Sequence, residues 1–190
     1  FSFDFLKMSI YLQNIDWKPI ASNNQQQILH QSLQTLHEMG PSHIIISSIS
    51  AAKIGGTPNM LQMHASSKTS DNHYQTFRID FPYLKGCFTG TGDTFSALIL
   101  VWYHKENNLI VILTFHRLFS SSNHLLFLLA AACEKAISII HQILLKTIEF
   151  NESLNTANTC GNELSLIESK TVIEAAETLF HAVLINEDSN

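Results

Sequence analysis

The sequence predicts an α/β fold, and three observations carry that prediction. An amphipathic helical pattern runs directly into a β-branched apolar segment, two candidate strands follow, and a glycine-rich turn then opens a long apolar helical stretch. Helix next to buried strand is the rhythm of α/β proteins. At 190 residues the chain is long enough for one domain with a sizeable core.

The first helix is expected between Asn24 and Met39, where Ile28, Leu29, Leu33, Leu36 and Met39 recur at three- and four-residue steps before Gly40-Pro41 stops the pattern. His43–Ile49 follows as an apolar run without alternation, which suits a strand buried on both faces. Met60–Ala65 and Tyr74–Ile79 read as an antiparallel pair. Beyond the glycines, Phe95, Leu98, Ile99, Trp102 and Tyr103 mark one helical stripe, while Ala97, Leu100 and Val101 make the other side apolar too, predicting a helix buried all round. A second strong helix is expected from Ala132 to Phe150, then a polar loop over Asn151–Asn162, a strand at Leu164–Ile167, a helix over Ser169–Leu179 and a frayed end at Glu187–Asn190.

Composition narrows the function classes. Hydrophobic residues at 45% and charged residues at 14% describe a soluble globular chain rather than a disordered one. A formal charge of −5 with no basic stripe argues against nucleic acid or an anionic membrane and points to a small molecule or a protein as partner. The longest uninterrupted apolar run, Leu125–Cys133, is nine residues, well short of the roughly 20 that a membrane helix needs. Cys87, Cys133 and Cys160 show no paired spacing, so a reducing, cytoplasmic setting is expected. His30 and His37 lie seven apart and no H-x-x-x-H occurs, so the ten histidines are expected to be solvated or satisfied structural residues. The chain opens on Phe1 without signal-peptide features, and is expected to begin inside a longer sequence.

The segment that can carry chemistry is Gly90-Thr91-Gly92-Asp93, where a glycine turn enters the N-terminus of a helix. Two glycines allow positive φ and close approach of a ligand, and the first helical N–H groups with the helix dipole present an anion site. Asp93 admits two readings at this point. It is an N-cap worth about 1 kcal/mol, or it takes the proton of a substrate hydroxyl while nearby N–H groups hold charge developing on a transferred phosphoryl group.

Phe88-Thr-Gly-Thr-Gly-Asp-Thr-Phe-Ser-Ala-Leu-Ile-Leu-Val-Trp102, followed by Asn107-Asn108-Leu109, resembles the signature stretch of pyridoxal kinases, members of the ribokinase-like group. Leu36–Pro41 with Ile44–Ser48, Ala132–Ala136 with Leu144–Thr147, and Glu163-Leu164 through Ser169-Lys170 resemble that family in the same order. The resemblance implies the C-terminal half of a three-layer α/β/α sandwich, incomplete in this chain, and an ATP-dependent phosphorylation of pyridoxal at its 5′-hydroxymethyl group. It implies that Gly90, Thr91 and Gly92 form the anion hole and that Asp93 is the catalytic base in contact with the substrate. Ser47 and Ser48 stand where a Thr-Ser pair of the family contacts ATP phosphates and helps a monovalent-cation site, with Ser47 keeping the hydroxyl; polar residues merely ending a buried strand are the alternative. Leu84 and Phe88 fall where the family lines its adenine pocket; packing beside a core strand is the plainer alternative. ATP with Mg2+ or another divalent cation, K+, a homodimer and a cytoplasmic location are likewise implied, while no metal ligand can be assigned.

Thr94 replaces a larger apolar residue of the family pattern, and Trp102 is most simply core. Two departures are larger. Residues 1–24 diverge and the family's earlier half, which carries pyridoxal-binding and Mg2+-organising segments, has no counterpart before Gln25. Ile110–Ala131 interrupts the pattern where the family makes a short connection, and is expected to be a poorly packed insertion. A non-catalytic form that keeps the family surface, and a related kinase acting on hydroxymethylpyrimidine, are the alternatives to a pyridoxal kinase.

Overall fold

A computed structural model describes residues 25–68, 73–108, 124–153 and 162–185. In chain order the elements are α1 (Gln25–Glu38), β1 (His43–Ser50), a 3-10 turn (Ala51–Ile54), β2 (Met60–Lys68), β3 (Tyr74–Pro82) and β4 (Phe88–Thr89). They continue with α2 (Thr91–Asn108), α3 (His124–Ser153), β5 (Asn162–Glu163), α4 (Lys170–Ala175) and β6 (Ala182–Ile185). The chain divides into two compact units, one of residues 1–83, 118–130 and 182–190, the other of residues 84–117 and 131–181.

The first unit is built on a four-stranded antiparallel sheet in the order β1-β2-β3-β6. The expected β2–β3 pair is present and runs without a break from Met60 opposite Pro82 to Lys68 opposite Tyr74. α1 buries Leu29, Leu33 and Leu36 against Ile44 and Ile46 of β1, each such side chain contributing roughly 1.5–3 kcal/mol when fully removed from water. Met39 lies one residue past the helix end and is 63% exposed, so it leaves the apolar face that its spacing suggested.

His37 is buried in its place, with Nδ1 2.9 Å from the Pro41 carbonyl and Nε2 2.9 Å from Ser66 Oγ. A carbonyl only accepts, so Nδ1 carries the proton and Nε2 accepts from the serine hydroxyl. Its ring also stacks on Tyr74 at 4.5 Å. His37 is therefore a satisfied structural histidine, as expected.

β1 differs from its expectation. Among the described residues it pairs with β2 alone, and Ile44 and Ile46 are buried while Ile45 is half-buried. Three consecutive isoleucines hide an alternation that the backbone still obeys.

In the second unit, Leu98 and Ile99 of α2 are buried, but Leu100 and Val101 are 61% and 56% exposed. The expected all-round burial of α2 is thus replaced by a one-sided one. Trp102 is half-buried beneath two ammonium groups, Lys105 Nζ at 4.3 Å and Lys135 Nζ at 5.7 Å from its ring centre.

Leu164–Ile167 is a turn rather than a strand, because Leu166 N–H bonds back to Leu164 O and Ser169 N–H to Ser165 O. Ile167 is 87% exposed, which shows that its apolar neighbours misled the pattern. The expected Ser169–Leu179 helix closes early, at Ala176, whose φ of 47° ends α4.

α3 starts at His124, two turns before the expected Ala132, and ends three residues later than Phe150. Leu126, Leu128 and Leu129 are buried, so the described part of 110–131 is not the poorly packed excursion expected; residues 110–123 lie outside the described residues, as do 154–161 of the expected loop. Leu126–Ser153 is also long and apolar enough to cross a membrane by length and composition, a property that counting uninterrupted apolar runs missed. Much of that span is buried by the protein itself, and two of its buried polar groups hold loops: Ser138 Oγ accepts from Leu179 N–H and Phe180 N–H, and Thr147 Oγ1 accepts from Ser165 N–H.

Candidate functional site

The glycine turn forms because β4 must stop and α2 must start within two residues. Gly90 sits at φ +83°, a conformation that side chains resist, and its carbonyl accepts the first helical bond from Thr94 N–H at 3.0 Å. Thr91 opens the helix, so Asp93 is its third residue and Gly90 occupies the capping position. The plain N-cap reading of Asp93 is thereby corrected. Its carboxylate still stands in the first turn, where the helix dipole favours negative charge, and it is exposed.

Gly92 poses a different question. A Cβ built there would meet nothing within 4 Å, and its backbone is ordinary helix, so nothing in the surrounding protein demands glycine. Glycine inside a helix costs about 1 kcal/mol relative to alanine. Gly90 and Gly92, on either side of Thr91, therefore leave open space at the helix start, where the first N–H groups have no partner within the helix.

Upstream, a Cβ on Gly86 would stand 2.6 Å from the Phe88 ring, so a side chain there would have to displace that ring. Phe88 and Leu84 are both half-buried and lie within ten residues of Asp93 in the same unit. β4 pairs in parallel with β5, Phe88 opposite Asn162 and Thr89 opposite Glu163.

Ser47 and Ser48 belong to the other unit. They are exposed and sit inside β1 rather than at its end, at the point where the β1–β2 register breaks between Ile46 and Ile49. Irregular pairing of this kind turns side chains away from the regular pleat and is common beside functional sites.

Among the described residues no three His, Cys, Asp or Glu side chains converge to hold a metal ion. The sequence pattern also passed over a shallow apolar depression lined by Leu166, Ile167, Lys170, Ile173 and Glu174, and over the histidines that are not satisfied. Among the described residues, His141 presents both ring nitrogens, buried, to no hydrogen-bond partner, and it lies edge-on to Phe180 at 5.0 Å. Burial lowers its pKa from the ordinary 6.5.

The fold is a partial α/β fold of the kind found in solved kinases. Pyridoxal kinase from Leishmania donovani in complex with ADP and pyridoxine superposes with a TM-score of 0.62 at 18% identity, over 83% of this chain and 43% of that one. The Plasmodium falciparum enzyme with AMP-PNP and PL gives 0.59 at 17% identity, over 86% and 44%.

By sequence, too, the chain resembles part of a pyridoxal kinase. It is 26% identical to the pyridoxal kinase of Ovis aries over 171 residues, 86% of this chain and 48% of that protein. With that of Sus scrofa it shares 29% identity over 162 residues, 80% and 44%. The chain thus spans about half the length of the curated relatives it matches. No family model matches it.

Proposed function

We propose that this chain carries the phosphoryl-transfer turn of an ATP:pyridoxal 5′-phosphotransferase. The observation that carries the reading is the open space beside Gly90 and Gly92 at the start of α2, followed at once by the exposed carboxylate of Asp93. In this reading Asp93 takes the proton of the 5′-hydroxymethyl group, the freed oxygen attacks the terminal phosphorus of ATP, and ADP leaves. The N–H groups of Gly90, Thr91 and Gly92 stabilise charge on the transferred group. Ser47 and Ser48 donate to ATP phosphates, and Leu84 and Phe88 supply apolar surface for the adenine.

Mg2+ or another divalent cation, and K+, would neutralise phosphate charge; their ligands are not assigned to this chain. A homodimer and a cytoplasmic location belong to the same proposal. So do residues 1–190 as part of one kinase domain, with 1–24 divergent and 110–131 inserted relative to the family.

Positioning two substrates and a metal supplies most of the barrier reduction in phosphoryl transfer. The chain is therefore tested joined to the part of the Ovis aries relative that precedes the matched region. That chimera, given ATP, Mg2+ and K+, should convert pyridoxal to pyridoxal 5′-phosphate. No turnover in a folded chimera would favour the non-catalytic alternative, and preference for hydroxymethylpyrimidine would favour the related kinase.

A further inference from the structure

A hydroxyl in the middle of an apolar helix calls for a reason, and Thr147 of α3 is fully buried. Its Oγ1 donates to Ile143 O at 2.8 Å, a bond local to the helix. The same oxygen accepts from Ser165 N–H at 3.1 Å, reaching a residue 18 positions away, two residues beyond β5. β5 is in turn the strand on which β4 leans. Asn162 N–H donates to Cys87 O at 3.0 Å, and the Thr89 hydroxyl donates to Asn162 O at 3.4 Å. β4 is two residues long and passes straight into Gly90. Such a short parallel pair has too few bonds to hold its own place.

We propose that Thr147 is the positioning residue for the Gly90–Asp93 turn. Its bond to Ser165 fixes the exit of β5, β5 fixes β4, and β4 delivers Gly90 to the start of α2. The role of that turn as an anion site rests on the function proposed above; the mechanical link from Thr147 does not.

The experiment is amide hydrogen exchange on the full chain. Thr147→Val keeps the branched shape but leaves Ser165 N–H without its acceptor, and Thr147→Ser restores the hydroxyl. In the valine variant, exchange at Ser165, Asn162 and Thr94 should accelerate by about tenfold or more, with Met63 and Phe77 in the other unit unchanged. The serine variant should stay within about threefold of the parent.

Thr89→Val, at an exposed side chain, cuts the link further along and should accelerate Asn162 and Thr94 without Ser165. Acceleration confined to Ser165, equal acceleration at Met63 and Phe77, or a serine variant behaving like valine would overturn the proposal. So would a Thr89→Val variant that leaves Thr94 untouched. Pyrophosphate titration of the parent chain decides the other matter separately. A Gly92 amide that does not respond sinks the anion-site reading, while the exchange pattern judges Thr147 on its own.

Discussion

Acid should loosen the sheet of the first unit, and His64 should account for a measurable part of the loss. His64 is 5% exposed in the centre of β2, with Nε2 3.0 Å from Gln62 Oε1 and Nδ1 buried without a partner among the described residues. Gln62 is tied to Asp80 at 2.6 Å, and Arg78 to the same carboxylate at 3.0 Å. Burial, and then the Arg78 guanidinium, push the His64 pKa from 6.5 down to about 4, against a smaller opposing pull from Asp80.

The unfolded chain therefore binds a proton below about pH 6.5 that the folded chain refuses until about pH 4, so stability falls as pH falls through that window. At about 1.4 kcal/mol for each tenfold difference in proton affinity, acidification from about pH 7.5 to about pH 4.5 costs about 2.5 kcal/mol through this group. His37 and His43, whose pKa values burial also lowers, add to it with the same sign. Urea unfolding followed by circular dichroism at both pH values measures the total. His64→Gln retains a donor for Gln62 and removes the titration, so its acid loss should be smaller by about that 2.5 kcal/mol. Equal losses in parent and variant would refute the reasoning.

Three further outcomes test the site and the packing. Gly92→Ala meets open space, so it should raise stability by up to about 1 kcal/mol while, if the proposed anion site is right, lowering chimera turnover at least about tenfold by placing a methyl in that site; unchanged turnover would leave Gly92 without a functional reason. Ser47→Ala with Ser48→Ala in the chimera should weaken ATP use by about 1.5–3 kcal/mol per lost bond without changing the pyridoxal requirement, as read from separate KM values. Leu129→Ala, at a side chain with no exposed surface, should cost about 2–5 kcal/mol in urea unfolding, whereas a loss below about 0.5 kcal/mol would return the start of α3 to the status of a loose insertion.

Local patterns in the sequence were most legible where one residue type decides the outcome. The β2–β3 pair, α1 and the turn before α2 follow from alternation, from three- and four-residue spacing and from glycine. The signals failed where burial depends on what lies opposite. Leu100 and Val101 are as apolar as Leu98 and Ile99, and only packing assigns the pairs to outside and inside. Leu164–Ile167 has strand composition, yet its backbone bonds to its own neighbours instead of to a partner strand. At the candidate site, Gly90 was readable because positive φ has one usual solution, while Asp93's place three residues into the helix was not, since caps shift by a residue or two without changing the sequence signal. Thr147 left only one trace, a hydroxyl inside an apolar stripe, and the partner that explains it lies 18 residues away.

The central claim is that Asp93 takes the substrate proton, and Asp93→Asn in the chimera tests it most directly. Asparagine keeps the shape and can serve the helix end, but it cannot accept a proton. Pyridoxal turnover should fall by roughly 10²–10⁴-fold, with ATP affinity and unfolding midpoint close to the parent. A variant that keeps turnover within about threefold of the parent would contradict the claim and leave Asp93 as an acidic residue placed to suit the helix dipole.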